Sequence, residues 1–202
     1  MRLRLIEGPA EYPVTLAEVQ KHVEAPEIDF EALLQIFRKA ATEEAENFTG
    51  RALMEQTWDL YLDAFPVDAP IRIPKPPLIE LVGIYARDSA GNEQPVDAAT
   101  YIVDMDNDPA GQPARVMLAT GGSWPTADTA ANAVRIRFKA GYIDDASPAA
   151  ANVPYAIKAA ILMMVGTLFA NRETVVIGQT ATMLPWAAEQ LLRRYRVEKA
   201  MA

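Results

Sequence analysis

Apolar residues recur at helical spacing in three parts of the chain and fill a fourth part almost without interruption. Thr15 and Glu18 occupy the two reciprocal positions of a capping box, which marks the start of the first helix. Asp29 is a suitable N-cap for the second helix, and Thr49-Gly50 is a suitable stop. The pattern predicts helices over 16–23, 29–49, 154–171 and 185–195, the last two with a proline in the first turn.

The stretch from Val153 to Ala170 is apolar around almost its whole circumference and is interrupted only by Lys158, Gly166 and Thr167. A helix that rests on a single core needs only one apolar stripe, so we expect this helix to be covered on both sides. One flank should pack on the 29–49 helix, and the other is left for a neighbouring molecule or for the strands. The residues expected in this core or subunit interface are Ala160, Met163, Met164, Leu168 and Phe169.

Between the second and third helices the pattern changes to strict alternation. Trp58, Leu60 and Leu62 share one face of a predicted strand, and residues 134–139 alternate apolar and basic side chains. The sequence therefore predicts an α+β fold, in which an antiparallel β subdomain at 54–140 is inserted into a helical core formed by 1–53 and 141–202. A polar linker is expected at 144–152 and a loop or hairpin at 175–184.

Composition and charge narrow the possible functions. The 202-residue chain carries a formal net charge of −8, and its basic residues are scattered except for Arg193, Arg194 and Arg196, so we expect no sequence-independent grip on nucleic acid. Cysteine is absent, which excludes disulfides and thiolate metal sites. No secretion signal is expected, because the apolar run near Met1 is too short. The strongly apolar part of the third helix, 159–170, is shorter than the ~20 residues that span a bilayer, so no membrane association is expected.

One run resembles the start of a calcium loop. Asp104, Asp106 and Asp108 follow the D-x-D-x-D spacing, but Pro109 and Arg115 stand where an EF-hand needs glycine and glutamate. An acidic turn between strands is the preferred interpretation, and a weak cation site or a small metal-dependent enzyme is the alternative.

Other candidates for chemistry have simpler interpretations. His22 is the single histidine and is expected at the surface, and the Glu43, Glu44 and Glu46 group is expected to form a solvated helix face. Phosphate-binding loops and nucleophile elbows are absent, so no catalytic residue, no enzymatic activity and no cofactor are expected. A β-module that binds a peptide or carbohydrate is a further alternative, and its exposed aromatics would be Tyr61, Tyr85 and Tyr101.

The order and spacing of several segments resemble the tailed-bacteriophage head–tail connector (adaptor) proteins, in the branch labelled phiE125 gp8-like or gp6-like. The resemblance covers nearly the whole chain. It rests on VTLAEVQKHV (14–23), ENFTGRAL (46–53), QTWDLYLDAFP (56–66), PKPPLIELVGI (74–84), GSWP (122–125), VRIRFKAGY (134–142), VPYAIKAAILMMVGTLFANRE (153–173) and LLRRYRV (191–197).

This resemblance implies a virion structural protein at the head–tail junction of a phage or prophage, assembled in the host cytoplasm. It implies a ring-shaped homo-oligomer of about a dozen subunits, closed by head-to-tail contacts. The implied partners are the portal protein, a tail-completion, head-closure or tail protein, and DNA that passes through the central channel without sequence recognition. The family supplies no catalytic residues.

Overall fold

The structure is a computed structural model that describes residues 1–24, 30–67, 69–106, 108–143, 152–171 and 184–197. It confirms the α+β fold. The helices are α1 (Leu16–Val23), α2 (Glu31–Thr49), α3 (Tyr155–Ala170) and α4 (Trp186–Arg193). The strands are β1 (Arg2–Glu7), β2 (Gln56–Leu62), β3 (Ile71–Arg72), β4 (Leu78–Arg87), β5 (Glu93–Pro95), β6 (Tyr101–Asp104), β7 (Arg115–Leu118) and β8 (Val134–Ala140).

The helix ends follow the predicted caps closely. The capping box is formed, since the Glu18 N–H donates to the Thr15 hydroxyl and the Thr15 N–H donates to the Glu18 carboxylate. Gly50 ends α2 in the left-handed region at φ 73°, a conformation that glycine adopts without a steric penalty. Phe30 is the N-cap of α2, one residue after the predicted start, and the expected cap Asp29 lies outside the described residues.

The helices form the first of two hydrophobic cores. Here α3 packs against α1, α2 and α4, and the buried residues of α3 are Ile157, Ala160, Ile161, Met164 and Val165. Contacts from three helices explain why α3 has no polar side. In the described part of the chain, no helix is long and apolar enough to cross a membrane.

The strands form two antiparallel sheets, a five-stranded one in the order β1–β2–β8–β4–β5 and a three-stranded one in the order β3–β7–β6. The register places Trp58 opposite Phe138 and Leu60 opposite Ile136, so the predicted apolar faces of β2 and β8 coincide. These faces contribute to the second hydrophobic core.

Strand β1 is an element that the sequence analysis did not predict. It forms one edge of the five-stranded sheet, with Arg2 opposite Tyr61 and Glu7 opposite Thr57. Leu3 packs on the second core, so residues assigned to the helical part of the chain also contribute to the sheet. The predicted linker at 144–152 and the predicted loop at 175–184 lie outside the described residues, apart from Asn152 and Leu184.

Candidate functional site

The five residues singled out in α3 occupy different environments. Ala160 and Met164 are fully buried in the helical core. Leu168 and Phe169 are half-buried, and the Phe169 ring meets Phe30 edge-on with 5.5 Å between centroids. Met163 is 38% exposed. Of these residues, Met163 is therefore the most exposed, and the other four are buried or half-buried within the chain.

The three aspartates of the calcium-like run have partners within the chain. Asp104 forms an ion pair with Arg115, which faces it from the adjacent strand. Asp106 accepts hydrogen bonds from the N–H groups of Asp108 at 3.0 Å and Gln112 at 3.1 Å, so its carboxylate shapes the turn. These backbone hydrogen bonds hold the pKa of Asp106 below its usual value.

Asp108 likewise accepts a hydrogen bond from the Ala110 N–H at 2.7 Å. Among the described residues, no group of three or more histidine, cysteine, aspartate or glutamate side chains is arranged to hold a metal ion. An acidic turn, the preferred interpretation from sequence, accounts for these contacts.

The three aromatics proposed for a β-module are half-buried, and each has a partner within the chain. Tyr85 lies under the Arg135 guanidinium, 4.1 Å from ring centroid to Cζ. Tyr61 donates to Asp59 at 3.4 Å on the same sheet. Tyr101 belongs to the three-stranded sheet and lies 6.3 Å from the Trp124 ring. Tyr61 and Tyr85 flank Arg135 in the register of the sheet, so these rings are held by contacts within the chain.

A network of charges covers the outer face of the five-stranded sheet. Asp59 is only 2% exposed and accepts two hydrogen bonds from Arg137, at 2.8 and 2.9 Å. Burial alone would raise the pKa of Asp59, but the hydrogen bonds from Arg137 and the charges of Arg137 and Arg135 lower it overall. Arg135 also binds Glu93 at 2.6 Å, so the network extends to the edge strand β5.

Glu46 departs from the expected solvated glutamate face. Its Oε1 accepts hydrogen bonds from the Leu53 N–H and the Gln56 side chain, both at 2.8 Å, and so connects the end of α2 to the start of β2. Burial raises the pKa of Glu46 above its usual value, although the Leu53 hydrogen bond and the charge of Lys75 act in the opposite direction. Glu43 remains exposed, and His22 is exposed as expected.

Arg51 connects the helical and β regions from a buried position. It is 1% exposed, its Nε donates to the Tyr195 carbonyl at 2.5 Å, and its Nη2 donates to the Gly111 carbonyl at 2.7 Å. Tyr195 follows α4, and Gly111 belongs to the acidic turn. Nearby, the buried Tyr142 hydroxyl donates to the Pro109 carbonyl, and burial raises the pKa of Tyr142 to about 12.

A groove of about 1250 Å³ lies beside this connection, between the end of α2, the end of α4 and strand β3. Phe48 and Ile71 contribute to its apolar walls, together with several prolines. Its charged lining residues are Arg72, Lys75, Arg193 and Arg196, and no carboxylate of the described residues lines it. For a chain with a net charge of −8, this is an unusual concentration of positive charge.

Neither Arg51 nor the groove was identified from the sequence. Arg51 bonds to residues 144 and 60 positions away along the chain, and the groove collects residues from both ends of the sequence. The C-terminal arginine cluster was the one visible signal, and two of its members, Arg193 and Arg196, do line the groove.

No family model matches the chain, and no curated protein matches it. Solved structures do share its fold. Chains in a structure described as the virion of a native gene transfer agent (GTA) particle and in the neck of an empty GTA particle computed with C6 symmetry each give a TM-score of 0.78 at 21% identity. A chain in the neck of the native GTA particle computed with C12 symmetry gives 0.77 at 21% identity. Each match covers 100% of this chain and 98% of the other. This similarity establishes the fold.

Proposed function

We propose that the chain is a structural protein of the neck of a phage-like particle, where it acts as a head–tail connector. The observation that carries the proposal is the end-to-end similarity in fold to chains of GTA virion and neck structures, with 98% of the other chain covered. The segments that resemble the phiE125 gp8-like or gp6-like connectors support the same role.

In this proposal the protein forms a homo-oligomeric ring of about a dozen subunits between the portal protein and the tail-completion or tail proteins, with head-to-tail contacts that close the ring. The C12 symmetry used for one of the similar neck structures supports a ring of this size. DNA passes through the channel without sequence recognition. The net charge of −8 supports this, because an acidic protein repels the DNA backbone.

The proposed role is structural and includes no reaction and no cofactor. The aspartates that could have suggested metal chemistry shape a turn and pair with Arg115. Within α3, Ala160 and Met164 support the subunit fold, and the exposed Met163 is proposed as a contact outside the subunit.

Electron microscopy of the purified protein, alone and mixed with the portal protein encoded with it, tests the proposal. We expect rings on the portal, with native mass spectrometry giving a stoichiometry of about a dozen. Rings that form only with the portal would agree with the proposal, since the portal can template the assembly. A protein that stays monomeric at high concentration and does not bind the portal would contradict it.

A further inference from the structure

The basic groove has the dimensions and chemistry of a site for a polypeptide segment. Its volume of about 1250 Å³ exceeds the roughly 300–1,000 Å³ of most small-molecule pockets. Pro66, Pro70, Pro74 and Pro113 stiffen its rim. A rigid apolar groove favours an extended segment because little conformational entropy is lost from the groove on binding.

Three of the groove's cations, Arg72, Arg193 and Arg196, are available to an incoming carboxylate, whereas Lys75 lies 5.7 Å from the Trp58 ring centroid and its charge also acts on Glu46. Among the four, Arg193 alone forms an ion pair in the described part of the chain, with Glu189 at 3.0 Å. Arg196 lies over the Phe48 ring at 5.5 Å, and Arg72 is exposed. A segment that carries two carboxylates can therefore bind without displacing more than one internal ion pair.

A segment that carries two carboxylates lies at the end of the β1–β2 pair that is farther from the groove. Met1 and Leu62 line the groove, whereas Glu7 and Thr57 line a second recess of about 340 Å³. The length of β2 separates the two sites by ~20 Å.

Glu7 and Glu11 stand at the ends of the sequence Glu-Gly-Pro-Ala-Glu beside this recess, and Glu55, which pairs with Lys139 at 3.5 Å, also lines it. Both glutamates are exposed; the Glu7 carboxylate accepts one hydrogen bond, from the Thr57 hydroxyl at 3.1 Å.

We propose that the groove binds the 7–11 segment of a second copy of this chain. Opposite charge at the two ends of one strand pair gives each subunit a donor end and an acceptor end, which is the head-to-tail geometry that closes a ring. The inference rests on the proposed ring and specifies its subunit contact. The glutamates at 7 and 11 are ~13 Å apart when extended, a spacing that lets them meet cations on separate parts of the groove.

Charge reversal in two complementary variants tests this contact. One variant carries Arg72→Glu and Arg196→Glu in the groove, and the other carries Glu7→Lys and Glu11→Lys in the segment. In each variant alone the reversed residues face like charges on the neighbouring copy, so we expect its ring yield, measured by native mass spectrometry and electron microscopy with portal present, to fall at least about tenfold.

A 1:1 mixture of the two variants should restore the rings. The two new glutamates in the groove of the first then meet the two new lysines in the segment of the second, and the unchanged groove of the second meets the unchanged segment of the first. The restored rings must alternate the two variants and contain an even number of subunits, which mass spectrometry resolves. Restoration also shows that both variants fold.

The matched control for the groove variant reverses two exposed cations away from the groove, Lys21→Glu and Lys39→Glu, which changes the net charge by the same amount as that variant and should leave ring yield unchanged. The inference is overturned if each variant forms rings alone, or if the mixture fails to restore them. Rings that form normally while portal binding is lost would overturn it too, because the groove would then serve a different partner. If the wild-type protein forms no ring at all, the proposed function itself fails.

Discussion

The central elements of the two cores, α3 and β8, are built on opposite sequence patterns. Helix α3 packs against three other helices and is apolar almost all round. Strand β8 lies in the middle of the five-stranded sheet, and its residues alternate strictly between buried and half-buried. Alternation fixes the orientation of β8 locally, because a slip by one residue would turn Arg137 into the core and Phe138 out of it.

The orientation of α3 about its own axis is determined by the surrounding helices and not by its own sequence pattern. Rotation about the helix axis would exchange one apolar residue for another at each contact, so the helix's own pattern hardly distinguishes its faces. Its neighbours select Met164 as a core residue and leave Met163 at the surface. The orientation of α3 is therefore determined by the shape of the space that its neighbouring helices leave for it. The orientation of β8 is determined by its own alternating residues.

The largest effect on stability is expected when a charged residue replaces the core residue of α3. Met164→Lys places a cation in a fully buried apolar site and should lower the free energy of unfolding by more than about 4 kcal/mol, enough to prevent folding. Met163→Lys, one residue away, should change it by less than about 1 kcal/mol. Urea denaturation followed by circular dichroism measures both.

If Met164→Lys yields no soluble protein, Met164→Ala keeps the comparison quantitative, with an expected loss of about 2–5 kcal/mol. Equal stability of the lysine variants at 163 and 164 would show that α3 presents a different face to its neighbours.

A smaller effect is expected at the connection between the two regions. Arg51→Met leaves the carbonyls of Tyr195 and Gly111 without their donor, which costs about 1–3 kcal/mol each. Removal of a buried charge offsets part of this cost, so we expect a net loss of about 2 kcal/mol. Hydrogen exchange should also rise at residues 193–197, which Arg51 holds.

The matched control for Arg51 is Arg72→Met, an exposed arginine whose replacement should cost less than about 0.5 kcal/mol. If Arg51→Met were as stable as the wild-type protein and exchange at 193–197 were unchanged, the two regions would have to be joined by other contacts.

The same contrast explains what could be predicted from the sequence. Capping at Thr15, the stop at Gly50 and the alternation of β8 are local signals, and the structure confirms them. Strand β1 had a local signal as well, since Leu3 and Leu5 alternate with Arg2 and Arg4. Its short length and its charged face made that signal easy to miss.

Long-range features had no local signal. Glu46 stands in a run of charged residues that looks solvated, and its burial depends on the chain turning back at Leu53 and Gln56. The basic groove depends on the approach of α4 to the end of α2, where the Val197 N–H donates to the Thr49 carbonyl at 2.8 Å. Periodicity cannot report such approaches.

A buried carboxylate in the sheet, Asp59, and a half-buried one in the helical region, Glu46, should respond to pH in opposite ways. In the sheet, Arg137 and Arg135 hold the pKa of Asp59 below its ordinary value of 3.8. In the helical region, burial holds the pKa of Glu46 above its ordinary value of 4.5. Asp59 therefore contributes stability that is present above pH 3.8 and is lost as the pH falls through its folded pKa. Ionisation of Glu46 instead removes stability as the pH rises from 4.5 through its folded pKa.

The smallest predicted effect is that Asp59→Asn and Glu46→Gln change the pH dependence of stability in opposite directions. At pH 7, Asp59→Asn should be less stable than the wild-type protein, and the difference should shrink as the pH falls below 3.8. Glu46→Gln keeps an oxygen that can accept from Leu53 and Gln56, so it should be more stable than the wild-type protein at pH 7. That gain should vanish below pH 4.5. Urea unfolding at a series of pH values separates the two, and profiles of the same sign would mean that Glu46 is solvated or paired like Asp59.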